Sequence, residues 1–449
     1  MTAVSSYPLL THPTPESIVA WRQGEAISVA RFTGEVLRLA AALPAGAHVL
    51  NVCGDRYRFA VGLAATLVSG RISLLPSSLT QEVAGHLRAF APDVVCLTDG
   101  DREAFGLPCM NFPDAFATDS SPGEIPLLPV DRTVAWLFTS GSTGKPVPHR
   151  KTWGALVKNV RGEAELLGLL DGRRHALVGT VPAQHMYGFE STVMVALQSG
   201  AALSAGRPLF PADICSALAA VPRPRALVTT PFHLRTLLDA GVDIPELDLL
   251  LSATAPLSAT LVREAEARCR APLLEIYGST ETGQIACRRP SHTAEWQLFP
   301  GVHLAQRDGR VWASGGHVEG EVAIDDVLEI TGAGRFVLHG RSADMINIAG
   351  KRSSLAYLNH QLCAVPGVVD GTFFIPDDSA PDGVTRLIAI VAAPGMTAAR
   401  LTLALRERIE PAFLPRPVLF VPSLPRNATG KLPADALRRL IAEHSKQQT

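Results

Sequence analysis

The chain has 449 residues, and its 41 Lys and Arg against 42 Asp and Glu leave a formal net charge of −1. With 47% hydrophobic and 18% charged residues it has a globular composition with room for a sizeable core, which excludes a disordered tail and a collagen-like repeat. No basic surplus marks a polyanion-binding surface, so nucleic acid is not an expected partner.

From the N-terminus, Met1 to Pro15 is polar and Pro-containing, without the basic region and apolar core of a signal peptide. His48–Val52 then reads as a strand and Arg56–Ser69 as a helix, with Phe59, Leu63 and Leu67 on one face. Val94–Thr98, Val134–Phe138, Ala176–Val181, Ala226–Thr229 and Leu247–Leu251 read as buried strands, most of them followed by a helical pattern such as Pro231–Ala240. That alternation predicts an α/β fold with parallel sheet. After Pro300 the pattern changes to Gly-punctuated β pieces, Val302–Gln306, Val311–Ala313, Glu321–Ile324 and Arg335–Leu338, which predict a small antiparallel subdomain or barrel. A tail unit begins near Arg341: a helix at Ser354–Cys363, strands at Val368–Ile375 and Arg386–Val391, a helix at Ala398–Arg408 and a Pro-rich strand-to-loop passage. The boundary falls between residues 340 and 341, with a hinge at Gly340–Asp344. The longest apolar stretches, such as Ala60–Val68, stop well short of the roughly 18–20 residues of a membrane span. Seven scattered cysteines form no C-x-x-C pair, so neither a zinc ribbon nor a disulfide framework is expected, and a reducing cytoplasmic setting is.

Four patches carry chemistry. Thr139-Ser140-Gly141-Ser142-Thr143-Gly144-Lys145-Pro146 follows an apolar strand and offers hydroxyls, backbone N–H groups and a charge to phosphate oxygens. It is not a P-loop, because Thr139 stands where the first Gly belongs and Pro146 follows the lysine. An ordinary Ser/Gly turn has the same composition. Tyr277-Gly278-Ser279-Thr280-Glu281-Thr282-Gly283 combines a ring to pack a base, a hydroxyl for phosphate and a carboxylate for Mg²⁺, a hard cation that takes oxygen donors. A strand-ending turn with an exposed Glu would look alike. The third patch runs from Gly340 to Arg352. The fourth is Pro425-Arg426-Asn427-Ala428-Thr429-Gly430-Lys431-Leu432, whose lysine is either solvated or brought to developing charge.

In this order the four patches resemble the adenylate-forming superfamily of acyl- and aryl-CoA synthetases and carrier-protein ligases, firefly luciferase and nonribosomal-peptide adenylation domains, over about Asn51 to Leu437. The resemblance implies a large N-terminal domain of two α/β subdomains plus a small β-barrel, followed by a mobile α+β C-terminal lid. The cofactors it implies are ATP and Mg²⁺, with coenzyme A or a phosphopantetheine-bearing acyl carrier protein as acceptor. Thr139 to Lys145 (Ser140, Gly141, Ser142, Thr143 and Gly144 between them) match the family's phosphate loop. Where the family continues Pro-Lys-Gly this chain has Pro146, Val147 and Pro148, and Lys145, Arg150 and Lys151 are candidates for the missing lysine. His185, in Pro182-Ala183-Gln184-His185-Met186-Tyr187-Gly188, resembles the His that gates the carboxylate pocket. Ser252-Ala253-Thr254-Ala255-Pro256-Leu257 resembles Ser-Gly-Gly-Ala-Pro-Leu, with both glycines replaced, so its backbone is less permissive or its pocket narrower.

By the same resemblance Tyr277 stacks on adenine, with Ala255 in the segment beside it. Thr280 touches the α-phosphate and Glu281 holds the metal. The ribose Asp is sought fifteen residues ahead of Arg341, which gives Asp326, with Arg341 as its partner. Ala343 and Asp344 compete as the hinge residue. Gly350 and Arg352 match the thiol tunnel, and Lys431 the catalytic lysine of adenylation.

At this length the chain resembles compact benzoate-type ligases, including those of aryl-polyene and xanthomonadin pigment pathways. The candidate pocket residues His185, Met186, Tyr187, Phe189 and Ser252 mix apolar walls with polar tips, which suits a hydroxybenzoate-like aryl acid. The alternatives are a medium-chain fatty acid, or a catalytically retired relative that binds nucleotide or an aryl ligand.

Overall fold

The computed structural model describes residues 5–76, 79–100, 106–114, 116, 124–140, 146–341, 345–348, 351–375, 386–427 and 432–446. Two sheets dominate. The smaller has six strands in the order Pro146–Thr152, Thr133–Ser140, Ile72–Pro76, His48–Asn51, Val94–Thr98 and Cys109–Asn111, all parallel except the first. The larger has eleven. Its centre is parallel, running Leu273–Ser279, Leu249–Ser252, Arg225–Thr229, Ala176–Gly179, Ala202–Ser204 and Ile18–Arg22. Beyond Leu273–Ser279 the sheet turns antiparallel through Gly283–Arg288, Glu295–Leu298, Arg335–Arg341 and Asp326–Gly332.

The strands predicted from apolar runs are found within two residues of their expected ends. The helix Arg56–Val68 starts at Asp55, whose carboxylate accepts from Arg58 N–H as an N-cap. The sequence predicts one buried face for it, but Phe59, Ala60, Val61, Leu63 and Ala64 are all at most 2% exposed. It lies in the shared core of the two sheets and is covered on all sides. Trp153–Leu166, capped by Thr152 Oγ1 on Ala155 N–H, enters the same core with Trp153 and brings Asn159 and Glu163 behind the site.

Of the four β pieces after Pro300, three form a sheet of their own: Val302–Arg307, Arg310–Gly315 and Val318–Ile324. The fourth, Arg335–Arg341, pairs instead with Glu295–Leu298 and Asp326–Gly332 on the large sheet. Beyond Arg341 come a hairpin of Met345–Ile348 with Lys351–Ser354, the helix Leu355–Cys363, and a three-stranded sheet of Asp370–Phe374, Ile388–Ala392 and Val418–Phe420. Two helices, Ala398–Arg406 and Ala434–Lys446, join them, and the second was not anticipated from the sequence. Two hydrophobic clusters draw only on residues from Ile346 onward, whereas the other three draw only on residues before Arg341. Among the described residues no helix is long and apolar enough to cross a membrane.

Candidate active site

Ligands of open α/β sheets collect outside the carboxyl ends of parallel strands, and Thr139, Ser252 and Tyr277 lie toward such ends here. The strand Leu273–Ser279 ends in a tight hairpin into Gly283–Arg288, with Ser279 opposite Gly283. Gly283 has φ +73°, and a Cβ there would meet the Asn159 amide at 2.2 Å, so only glycine serves. Ser279 and Thr282 staple the turn: Thr282 N–H donates to Ser279 Oγ (3.1 Å) and Ser279 N–H to Thr282 Oγ1 (3.2 Å). Thr282 is thereby buried, which leaves Thr280 half-buried and Glu281 exposed at the tip.

At the hairpin's base the Tyr277 ring packs on Trp296 and Phe336, with centroids 5.6 and 5.5 Å away, while those two rings stack at 9° behind it. Its hydroxyl donates to Asp326 Oδ2 at 2.5 Å. Asp326 lies directly opposite Arg341 in the strand register, so two residues fifteen apart in sequence meet across one ladder. The register shifts between Val327 and Leu328, a bulge beside Gly340 at φ +128°.

The acid-pocket candidates lie at neighbouring strand ends. Ser252 closes Leu249–Ser252, is fully buried, and its Oγ has no hydrogen-bond partner among the described residues. Tyr187 donates to Leu251 O at 3.1 Å, which brings its ring to the same strand, and burial pushes its hydroxyl pKa well up. His185 and Met186 are half-buried at the start of a helical turn that runs on into a π-helical stretch, Phe189–Met194. Phe189 is 0% exposed and belongs to the main hydrophobic core. Gly188 permits the turn, since a Cβ would meet Pro182 O at 2.0 Å. Ala255 is half-buried in the turn after Ser252. Its neighbour Thr254 has φ +80°, a left-handed backbone that glycine adopts freely and the less permissive threonine holds under strain.

Four further residues shape this region; of these only Lys151 is flagged by the sequence, as a candidate for the missing loop lysine, while Arg56, His149 and Glu190 carry no motif signal. Arg56 is 1% exposed, and its guanidinium donates to the carbonyls of Gly179 (2.8 Å), Val181 (2.8 Å), Ser204 (2.9 Å) and Gly206 (2.6 Å). It ties the end of Ala176–Gly179, which leads into the His185 turn, to the end of the neighbouring strand Ala202–Ser204. The other three face a cavity of about 550 Å³ beneath Glu281. His149 Nε2 lies 2.9 Å from Thr139 Oγ1 and 3.5 Å from Glu281 Oε1, and burial lowers its pKa against the pull of Glu281. Lys151 is 7% exposed and donates to Glu281 O at 3.4 Å; burial lowers its pKa, with Glu190, Glu319 and Glu281 opposing. Burial pushes Glu190 up to about 8, with Lys151 opposing.

Thr139 thus joins Glu281 through His149, and Tyr277, Asp326 and the Arg341 backbone form a second group on the same hairpin and its sheet. Gly141 to Lys145, Gly350 and Lys431 lie outside the described residues, as do Ala343 and Asp344. The backbones of Ser140, Arg341 and Arg352 are in strands. As for the metal, one outward carboxylate, Glu281, fits Mg²⁺, which is usually held by one or two carboxylates plus substrate phosphates. Among the described residues no group of three or more His, Cys, Asp or Glu could hold a metal ion.

The AMP-binding enzyme family matches residues 12–324. The chain is 31% identical over 297 residues to a 4-coumarate–CoA ligase of Rhodobacter capsulatus, covering 65% of this chain and 73% of that protein. It is 27% identical over 425 residues to a 3-hydroxybenzoate–CoA ligase of Aromatoleum sp., covering 81% and 76%. Its fold is similar to that of o-succinylbenzoate CoA synthetase from Bacillus subtilis in complex with its acyl-adenylate, at TM-score 0.82 and 19% identity, covering 97% and 99%. The chain belongs to the AMP-binding enzymes of the adenylate-forming superfamily, as an AMP-forming acid–thiol ligase.

Proposed function

We propose that this ligase activates a hydroxybenzoate-like aryl acid with ATP and passes the acyl group to a pantetheine thiol, that of coenzyme A or of an acyl carrier protein. The observation that carries the aryl reading is Ser252: a fully buried hydroxyl without a partner, at a strand end that the Tyr187 side chain also reaches. A buried unpartnered hydroxyl costs stability unless a ligand completes it, and a ring hydroxyl or carboxylate would. The similarity to a 3-hydroxybenzoate–CoA ligase supports the same class.

In this reading Tyr277 packs against adenine, Asp326 accepts from the ribose hydroxyls with Arg341 beside it, and Thr280 meets the α-phosphate. The acid's carboxylate oxygen attacks the α-phosphorus, the bond to the bridging oxygen breaks, and pyrophosphate leaves with the electron pair. Glu281 would hold Mg²⁺, which spreads the charge of the phosphate oxygens. The loop from Thr139 to Lys145 lies along the β- and γ-phosphates, and Lys431 donates to the oxygens that gain charge. One such preorganised donor is typically worth ~2.7–4 kcal/mol in the transition state. Thiol attack on the acyl carbon then expels AMP. We place the domain boundary at 340/341, so that the unit from 341 onward turns about Gly340–Asp344, withdrawing Lys431 and presenting Gly350 and Arg352 to the thiol.

The test is carboxylate-dependent pyrophosphate release over a panel of benzoates and short- to medium-chain fatty acids, with Lys431→Ala as control. A hydroxybenzoate giving the highest kcat/KM, lost in the variant, upholds the reading. A fatty acid in that place transfers the pocket to aliphatic substrates.

A further inference from the structure

Strand Pro146–Thr152 leaves the phosphate-loop candidate antiparallel to the strand that enters it. Side chains two apart on a strand share a face, so Val147, His149 and Lys151 point the same way. Val147, nearest the loop, carries no charge. His149 and Lys151 both reach Glu281, yet at different atoms: the imidazole lies at the carboxylate and the ammonium at the main-chain carbonyl. The same ring nitrogen of His149 touches Thr139, the first residue of the loop. Arg150, on the opposite face, is exposed and pairs with Glu319 at 3.4 Å.

We propose that His149 and Lys151 are positioning residues for Glu281, His149 locking its carboxylate to the stem of the phosphate loop and Lys151 fixing its backbone, so that metal-bound triphosphate is held from the sheet strand and not by a lysine at position 147. The inference rests on the nucleotide reading above. A proton on Nε2 lets the ring donate to Thr139 Oγ1 at 2.9 Å and turns an N–H, not a lone pair, toward the Glu281 carboxylate 3.5 Å away. Lys151, 7% exposed among Glu190, Glu281 and Glu319, adds a donor that does not swing with solvent. Because Glu281 serves the phosphates through the cation and not the base or ribose, its positioning should matter for MgATP and not for AMP.

The test is calorimetric binding of MgATP and of AMP to the full chain carrying His149→Val, His149→Gln or Lys151→Met, with a thermal melt to verify folding. We expect His149→Val and Lys151→Met each to weaken MgATP roughly tenfold, about the effect of one hydrogen bond to a charged group, with AMP changed less than twofold. His149→Gln retains an amide donor and should recover part of the loss. In the His149→Val/Lys151→Met double variant, adding Val147→Lys should restore MgATP binding by returning a cation to the same face. Equal weakening of MgATP and AMP, or unchanged MgATP binding in both single variants, would overturn the proposal. Absence of MgATP binding by the unmodified chain would overturn the nucleotide reading itself, which the variant series alone cannot do.

Discussion

Removing the Tyr277 hydroxyl isolates one contact that nucleotide recognition should feel. Tyr277→Phe keeps the ring against Trp296 and Phe336 and deletes the bond to Asp326 Oδ2. Hydrogen bonds to charged groups are worth ~1.5–3 kcal/mol, and this one is only part-buried, so about 1–1.5 kcal/mol is the reasonable share. That corresponds to roughly tenfold weaker ATP binding, since 1.4 kcal/mol is about a factor of ten. Asp326→Ala removes the ribose acceptor itself and should cost more, about 30- to 100-fold. Once Asp326 is alanine the Tyr277 hydroxyl no longer orients a ribose acceptor, so the losses in the double variant should fall short of additivity by about 1 kcal/mol. Equilibrium titration with ATP and with 2′,3′-dideoxy-ATP measures all of these. Asp326→Ala should weaken ATP strongly and the dideoxy analogue little. Equal weakening of both nucleotides would refute the ribose assignment and leave Asp326 as a structural partner of Tyr277.

Three further outcomes follow from the geometry. Thr254→Gly should stabilise the protein by up to about 2.5 kcal/mol, because release of ~1–3 kcal/mol of left-handed strain outweighs the ~0.5–1 kcal/mol entropy penalty of glycine; a fall in the thermal midpoint would show that the strain is compensated. Arg56→Met should cost at least about 3 kcal/mol and lower soluble yield, since four carbonyls lose their donor; a variant with wild-type denaturant resistance would refute the clamp. Burial lowers His12, His233 and His317 to about 4, so the unfolded chain takes up their protons first as pH falls below 6.5. Stability is then full above pH 6.5 and lost progressively toward pH 4, by up to about 3 kcal/mol per buried ring; a flat denaturation midpoint between pH 7 and 5 would contradict it.

What could be read in advance was local or periodic. Val94–Thr98 is found with its expected limits because an apolar run buried on both faces has no competing pattern. Asp326 was reached by interval alone, and the ladder supplies the reason: a hairpin register turns sequence spacing into opposition to Arg341. The fourth β piece, Arg335–Arg341, was grouped with its sequence neighbours because a strand's pattern does not say which edge it joins. The helix Ala434–Lys446 was missed behind a Pro-rich passage, although its apolar face packs through Leu437, Leu440 and Ile441.

The residues that escaped a sequence reading share a physical cause. Arg56 opens a helix, and nothing near it announces four carbonyls from strands more than a hundred residues away. His149 belongs to no motif, and Lys151, a candidate for the missing loop lysine by position alone, meets Glu281 only because the hairpin carrying that residue approaches its strand. Motifs mark groups that touch the ligand, because the chemistry fixes their type and order. The groups that hold those in place are fixed by tertiary approach, and several side-chain chemistries can fill the same role. This chain has valine at 147, where the motif it resembles has lysine, so its motif reads as degraded. The strand face behind that valine nevertheless carries two nitrogen donors within reach of the same carboxylate-bearing residue. A degraded motif therefore argues for loss of function only after the face behind it has been searched for replacement charge.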